Sequence, residues 1–269
     1  TAYHFDAVAG TLSPFQTISN LPPEGHHPGT GGEENSCSQI AITPSGKFLY
    51  APNRGHDSMA CFRVDEETGE LSTIGYQAIE KHPRGISLDP QGKFLFATAE
   101  DRVIIRWRLA DGNKVVFKGH DSWARGLAFS KDGQTLVTSG FDDKLIWWSV
   151  NDAAPKPLRE VTAHKGWIRA VAVSPDGKLL ASGGNDRIVK LWSMADGKPV
   201  AELSGHELDV YSLLFHPDGK HLLSGDLMAH IRQWDVAGAK EVRKLDAKDL
   251  HTYNGGQRVH YGGVRSLAL

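Results

Sequence analysis

The sequence predicts an all-β chain folded as a β-propeller of six blades, the last a composite blade built from strands at both ends of the chain. The first observation behind this is the stretch from Val161 to Met194. It crosses Ile168-Arg169-Ala170-Val171-Ala172-Val173 and turns at Ser174-Pro175-Asp176-Gly177. It then rises through Leu179-Leu180-Ala181-Ser182, turns at Gly183-Gly184-Asn185-Asp186 and ends on Ile188-Val189-Lys190-Leu191-Trp192. Short β-type runs between Pro, Gly, Asp and Asn punctuation make an antiparallel meander. Such a sheet has two apolar faces and needs copies of itself as neighbours. The second observation is that the copies exist: the turn glycine recurs at Gly46, Gly92, Gly133, Gly177 and Gly219, at spacings of 46, 41, 44 and 42. The third is a Trp closing the third strand at Trp107, Trp148, Trp192 and Trp234, at spacings of 41, 44 and 42. A period of roughly 40–45 residues with four strands per unit is the signature of a propeller blade.

Taken in order, Thr1 to Asp6 and Thr11 to Ser19 read as the outer two strands of a blade whose inner half lies elsewhere in the chain. Residues 20–36, with Pro22-Pro23, Pro28-Gly29 and Gly31-Gly32, form a long loop. A full blade follows at Ser38–Ile42, Lys47–Pro52, Ser58–Val64 and Leu71–Ala78. Four more units have inner strands near 84–88, 124–129, 168–173 and 210–215. An extra loop occupies 246–258, because His120, His164 and His206 are spaced by 44 and 42 and His260 follows only after 54. The run Val264 to Leu269 matches an inner strand. Paired with the N-terminal strands it makes a sixth blade that lacks its second strand. That blade is either three-stranded or completed by another segment or a second chain, since unpaired ladder groups invite self-association. The whole of 1–269 is expected to be one domain.

Composition narrows the function classes. The chain has 269 residues, 40% hydrophobic and 23% charged, with a net charge of −2 and no basic block. That is ordinary globular composition, without the electrostatic footprint of nucleic-acid binding. No apolar run approaches a membrane span. The chain opens on Thr1-Ala2-Tyr3 with no targeting motif, so localisation is not readable. Cys37 and Cys61 read as apolar fillers rather than a disulfide framework, a mild preference for a reducing compartment.

From about Glu100 onward the chain resembles the WD-repeat family, whose blade carries a His before the first strand, a Ser or Thr on the second, an Asp in the next turn and a Trp on the third. The resemblance implies hydrogen-bonded tetrads at His120, Thr138, Asp142 and Trp148, and at His164, Ser182, Asp186 and Trp192. A buried imidazole and indole each need partners, which the hydroxyl and carboxylate supply. In the next blade His206, Ser224 and Trp234 are in place but Met228 holds the Asp position, so that network is expected to be incomplete. The tetrads are read as structural.

Residues 1 to about 97 are written differently. The outer hairpins read Asp6-Ala7-Val8-Ala9-Gly10-Thr11-Leu12 and Asp65-Glu66-Glu67-Thr68-Gly69-Glu70-Leu71, and the third strand ends in Phe62 rather than Trp. With Glu34-Asn35-Ser36-Cys37, Thr43-Pro44-Ser45-Gly46-Lys47-Phe48-Leu49-Tyr50 and Asn53-Arg54-Gly55-His56-Asp57-Ser58, this part resembles propeller lactonases of the 6-phosphogluconolactonase type. His82-Pro83-Arg84 and Leu88-Asp89-Pro90-Gln91-Gly92-Lys93-Phe94-Leu95 continue that pattern, while Ala99-Glu100-Asp101-Arg102-Val103 and Arg106-Trp107 belong to the other. A crossover near Ala97–Glu100, inside a blade rather than in a linker, points to a chimera, engineered or recombined, with 1–97 lactonase-like and 98–269 of the WD-repeat kind. The lactonase resemblance implies an acid, a His and arginines around the channel. Arg54 and His56 survive. Gln39 stands where a Glu is usual and Gly85 where a His is usual, so the general base is expected to be missing.

Aligned on their turns, the blades put Arg84, Arg125, Arg169 and Arg265 at one equivalent site at the channel mouth, with Ser38 and Tyr211 at the other two. Trp123 and Trp167 lie two residues before their arginines. Guanidiniums around one opening could hold carboxylate or phosphate bidentately, or pair with Asp209, Asp121 and Glu207. No His, Cys or Asp cluster shows metal spacing, and His26-His27 sit in a Gly/Pro loop. Gly31-Gly32 and Gly255-Gly256 are not phosphate loops. Trp147, beside Trp148, points to the opposite sheet face. The expectation is a non-catalytic hybrid propeller with no cofactor and no metal. It would have WD-repeat-type protein or peptide binding at one face and would bind neither nucleic acid nor membrane. The alternative is a residual sugar lactonase.

Overall fold

The structure is a computed structural model and describes residues 1–6, 8–9, 11–23, 39–79, 82–246 and 264. Among the described residues every regular element is a strand. Strands β1 (Ala2–Asp6) and β2 (Thr11–Gln16) form a two-stranded antiparallel sheet. Five four-stranded sheets follow, each a meander. The first is β3 (Ala41–Ile42), β4 (Phe48–Asn53), β5 (Ser58–Val64) and β6 (Leu71–Ala78). The second is β7 (Gly85–Leu88), β8 (Phe94–Thr98), β9 (Val103–Arg108) and β10 (Lys114–Lys118). The third is β11 (Ala124–Phe129), β12 (Thr135–Gly140), β13 (Lys144–Ser149) and β14 (Pro157–Thr162). The fourth is β15 (Ile168–Val173), β16 (Leu179–Gly184), β17 (Ile188–Ser193) and β18 (Pro199–Ser204). The fifth is β19 (Val210–Phe215), β20 (His221–Asp226), β21 (His230–Asp235) and β22 (Lys240–Asp246). The five turn glycines open each first hairpin with φ between 66 and 76°, a left-handed conformation that glycine adopts without a Cβ penalty. Among the described residues no helix is long and apolar enough to cross a membrane.

By contact the chain divides into two compact units, one of Thr1–Asp101 with Arg106–Lys114, the other of Arg102–Ile105 with Val115–Leu269. In the first unit, Ala51, Ala60 and Phe62 form a small core covered by Ile18, Leu49, Leu71 and Tyr76. The segment after β2 is tied down by side chains that imitate strand pairing. Gln16 donates to the Leu71 carbonyl at 2.8 Å and accepts its N–H at 2.7 Å, and the Tyr76 hydroxyl donates to the Leu21 carbonyl at 2.8 Å. Cys61 is a half-buried free thiol, its pKa pushed up by burial. Cys37, Ser38, the loop with His26-His27, the insertion predicted at 246–258 beyond its first residue, His260 and Arg265 lie outside the described residues.

In the second unit, apolar faces of neighbouring sheets interlock. Trp147, Leu145, Ile168, Leu180 and Trp192 belong to one cluster; Leu191, Val210, Leu222 and Trp234 belong to the next. Each fully buried Leu or Ile contributes on the order of 2 kcal/mol, so the sheets are held by stacking more than by their edges. Trp147 and Trp148 alternate across the strand: Trp147 joins the inter-sheet cluster, while Trp148 packs edge-on against Phe117 at 5.6 Å.

Three tetrads run beneath this packing. Trp148 Nε1–H donates to Thr138 Oγ1 at 2.9 Å, which lies 2.8 Å from His120 Nε2, and His120 Nδ1 lies 2.9 Å from Asp142. Trp192, Ser182, His164 and Asp186 repeat the chain at 2.7, 2.7 and 2.9 Å. Because indole only donates, the hydroxyl must accept from it and pass its own proton to Nε2, which leaves the imidazole proton on Nδ1 facing the carboxylate.

The fifth sheet corrects the expectation of an incomplete network. Trp234, Ser224 and His206 connect at 2.7 and 2.6 Å, and His206 Nδ1 lies 3.1 Å from Asp226, two residues before Met228. Asp226 occupies the register position held by Gly140 and Gly184. A Cβ built on Gly140 would stand 2.5 Å from His120 Nδ1 and 2.3 Å from Asp142 Oδ1. A carboxylate rooted there thus reaches the imidazole directly and makes an acid at 228 redundant.

Burial by itself would raise the carboxyls of Asp142, Asp186 and Asp226. Their hydrogen bonds with imidazole and backbone N–H groups win instead, holding all three below 3.8 and taking Asp226 to about 2. A carboxylate depressed in the folded state contributes stability above its unfolded pKa and loses it as the pH falls through the folded one. The urea midpoint is therefore expected to hold down to about pH 5 and to drop between about pH 4 and 2. Asp226→Asn should flatten that drop, which an acid titration of unfolding checks.

Candidate active site

In the first unit, a carboxylate holds an imidazole and a guanidinium at the mouth of one hairpin. Strands β7 and β8 pair with Gly85 opposite Thr98, and the Arg84 N–H donates to the Thr98 carbonyl at 2.8 Å. This register brings residues 82–84, entering β7, beside Glu100, leaving β8. Arg84 donates to Glu100 Oε1, and His82 Nδ1 lies 3.3 Å from the other oxygen, Oε2. His82 has a φ of 48°, and its N–H is fixed by the Asp57 carboxylate at 2.9 Å. A non-glycine residue in that region is held there by its surroundings. The His82 side chain is 40% exposed, against 20% for Glu100. An imidazole paired through Nδ1 with a carboxylate is the combination on which general acid–base work relies.

The residues singled out from the lactonase resemblance are placed differently. His56 Nδ1 is 2.7 Å from Ser58 Oγ, and Asn53 bridges Ser58 to the Asn20 carbonyl at 3.3 and 2.6 Å, so this turn braces β4 against β5. Gln39 Oε1 accepts the Ile86 N–H at 3.2 Å, a role a carboxylate oxygen would fill equally. Gln39 and Gly85 supply no base, and the same unit brings a different carboxylate and imidazole, Glu100 and His82, together. The sequence signal for them was the regular hairpin length itself, which makes His82-Pro83-Arg84 and Ala99-Glu100 neighbours. Assigning Glu100 to the other pattern hid it.

In the second unit, Arg125, Arg169, Trp123, Trp167 and Tyr211, all predicted at the mouth, gather in one stack. Phe141 lies parallel to Trp167 at 4.4 Å and tilted against Trp123 at 5.6 Å. Arg169 sits over Tyr211 at 4.4 Å and Trp167 at 5.1 Å, and Arg125 reaches Tyr211 at 6.0 Å. The Arg169 Nε donates to Asn185 at 2.7 Å and lies 3.5 Å from Asp209, while Arg125 donates to the Arg169 carbonyl at 3.3 Å. Asp121 pairs with Lys144 at 2.7 Å rather than with an arginine. Trp123 and Trp167 keep 37% and 43% of their surface exposed. Arg169 is thus a packed, charge-matched centre of the stack. Phe141, which joins the two indoles, was not foreseen because it lies in a turn.

Comparison with known proteins supports the division into two kinds of blade. A family model described as lactonase, seven-bladed β-propeller, matches residues 1–114, and one described as WD domain, G-beta repeat, matches 113–149, 155–193 and 197–235. The lactonase match runs past Ala97–Glu100 and takes in Glu100. A 6-phosphogluconolactonase of Pectobacterium carotovorum subsp. carotovorum (strain PC1) is 32% identical over 98 residues, 36% of this chain and 28% of that protein. Proteins of the same name from Bacillus subtilis (strain 168) and Formosa agariphila are 32% identical over 118 residues and 44% over 99. These alignments cover 44% and 35% of this chain, and 30% and 28% of those proteins. The chain therefore spans less than a third of the length of these relatives. The expectation of a non-catalytic scaffold is overturned: a lactonase family model matches residues 1–114, and these relatives carry the name of an enzyme.

Proposed function

We propose that this chain hydrolyses a sugar lactone, with the phosphorylated lactone that gives the relatives their name as first candidate substrate. The observation that carries the reading is the juxtaposition of His82, Arg84 and Glu100 within the lactonase-matched stretch. In this reading His82, oriented by Glu100, takes a proton from water as the oxygen attacks the ring carbonyl carbon. The ring C–O bond then breaks, and the imidazolium returns the proton to the leaving alkoxide, so that lactone and water give one hydroxy acid. Arg84 holds the carboxylate partner in place and adds positive charge for an anionic substrate.

Proton release from 6-phosphogluconolactone, followed in a weakly buffered assay, tests this. Wild-type chain should exceed the spontaneous rate, and His82→Ala and Glu100→Gln should each lower kcat/KM by about a hundredfold. No turnover by the wild type, or full turnover by both variants, overturns the assignment. The same proposal takes the sheets as blades of one ring of six, the last completed by β1, β2 and the strand expected at Val264–Leu269. The repeat spacing supports that count, and a solution mass of two chains would instead put the completion between copies.

A further inference from the structure

The hairpin between β19 and β20 turns at His216-Pro217-Asp218-Gly219-Lys220-His221. The two preceding sheets make the same turn with Ser130-Lys131-Asp132-Gly133-Gln134-Thr135 and Ser174-Pro175-Asp176-Gly177-Lys178-Leu179. There the serine hydroxyl donates to the aspartate and accepts the N–H of Thr135 or Leu179 at 2.9 Å. The third copy keeps the aspartate and the glycine, with φ of 67°, but substitutes imidazoles at both other positions. Asp218 Oδ1 accepts the Lys220 and His221 N–H groups at 2.7 and 3.1 Å, which fixes the carboxylate to the turn. Its Oδ2 then lies 3.0 Å from His216 Nδ1 and 2.8 Å from His221 Nδ1, and the three residues each bring one ligand atom within 4.8 Å of the others. His216 Nδ1 also accepts the Asp218 N–H at 3.2 Å. A cation bound at His216 Nδ1 takes the place of this bond, since the nitrogen has one lone pair. Two imidazole nitrogens converge on one carboxylate oxygen, a donor set that suits a single bound cation.

We propose that His216, Asp218 and His221 form a binding site for a divalent transition-metal ion of the zinc class, with at least one coordination position open to water or an incoming ligand. Two imidazoles and a carboxylate suit zinc, cobalt or nickel rather than calcium or magnesium. Bonds of about 2.0–2.2 Å set tetrahedral donors roughly 3.3–3.5 Å apart, so each ring nitrogen must draw back from the carboxylate oxygen by about half an ångström. Their side-chain exposure, 45% and 30%, leaves room for that. This corrects the expectation that no cluster has metal spacing: His-x-Asp-x-x-His spans a β-turn, and only the turn's closure brings its ends together. The site lies within one hairpin of the second unit and does not depend on the lactonase reading.

The test titrates metal-free chain with Co²⁺, followed by visible absorption, and with Zn²⁺, followed by calorimetry. The comparison is the double variant His216→Ser and His221→Leu, which installs residues the chain already uses in its equivalent turn. Wild type should bind one equivalent with a tetrahedral or five-coordinate cobalt spectrum. The double variant, with its urea midpoint within about 1 kcal/mol of wild type, should bind at least a hundredfold more weakly. Equal stoichiometry and affinity in both chains would assign the metal to the other histidines and overturn the proposal. So would the absence of wild-type binding up to millimolar metal.

Discussion

Asp226→Ala is expected to destabilise the second unit by about 3–5 kcal/mol, because it removes one partner of a buried pair and leaves His206 facing an empty site. Asp226 and His206 are both buried, and the same carboxylate also accepts the Met228 and His230 N–H groups at 2.9 and 3.0 Å. The informative comparison is the double variant Asp226→Gly with Met228→Asp, which rewrites this sheet in the pattern of its two predecessors. It should recover most of the loss, since in those sheets an acid at the turn reaches the imidazole past a glycine. Met228→Asp alone should destabilise, as the contact distances at Gly140 leave no room for two carboxylates on one imidazole. Urea unfolding of wild type and these three variants makes the comparison. A double variant no better than Asp226→Ala would refute the exchange of positions.

Trp148→Ala should cost about as much, roughly 3–5 kcal/mol, by opening a cavity where a fully buried indole now sits. The indole lies against Gly119 so closely that a Cβ there would be 2.7 Å from its edge, and it meets Phe117 edge-on. Trp148→Phe keeps most of that packing and strands the Thr138 hydroxyl, at a cost of about 1–2 kcal/mol. Trp123→Ala, at the exposed end of the other stack, should change the unfolding midpoint by about 1 kcal/mol or less. If the two alanine variants unfold alike, the distinction between structural and surface tryptophans fails.

The blades were legible because their cues are local. A left-handed turn needs its glycine, and alternating apolar runs between turns need an antiparallel partner a few residues away, so β4 to β7, β11, β15 to β17 and β19 fall within a residue or two of where spacing put them. The His164 and His120 tetrads were legible for the same reason, being fixed offsets along a repeating meander. The fifth-sheet tetrad was not. An offset rule registers that Met228 has no carboxylate, but it cannot register that Asp226, two residues back, points at the same nitrogen.

The chemistry divides in the same way. Residue order alone determined an all-β chain of repeated meanders in two dialects, because side-chain alternation and turn propensity are properties of adjacent residues. Only the tertiary structure decided which polar groups meet: Glu100 with His82 and Arg84, Asp218 with His216 and His221, Asp226 with His206. Hydrogen bonds and ion pairs act over about 3 Å, and which side chains come that close is set by strand register and turn closure, which bring together residues that spacing rules keep apart.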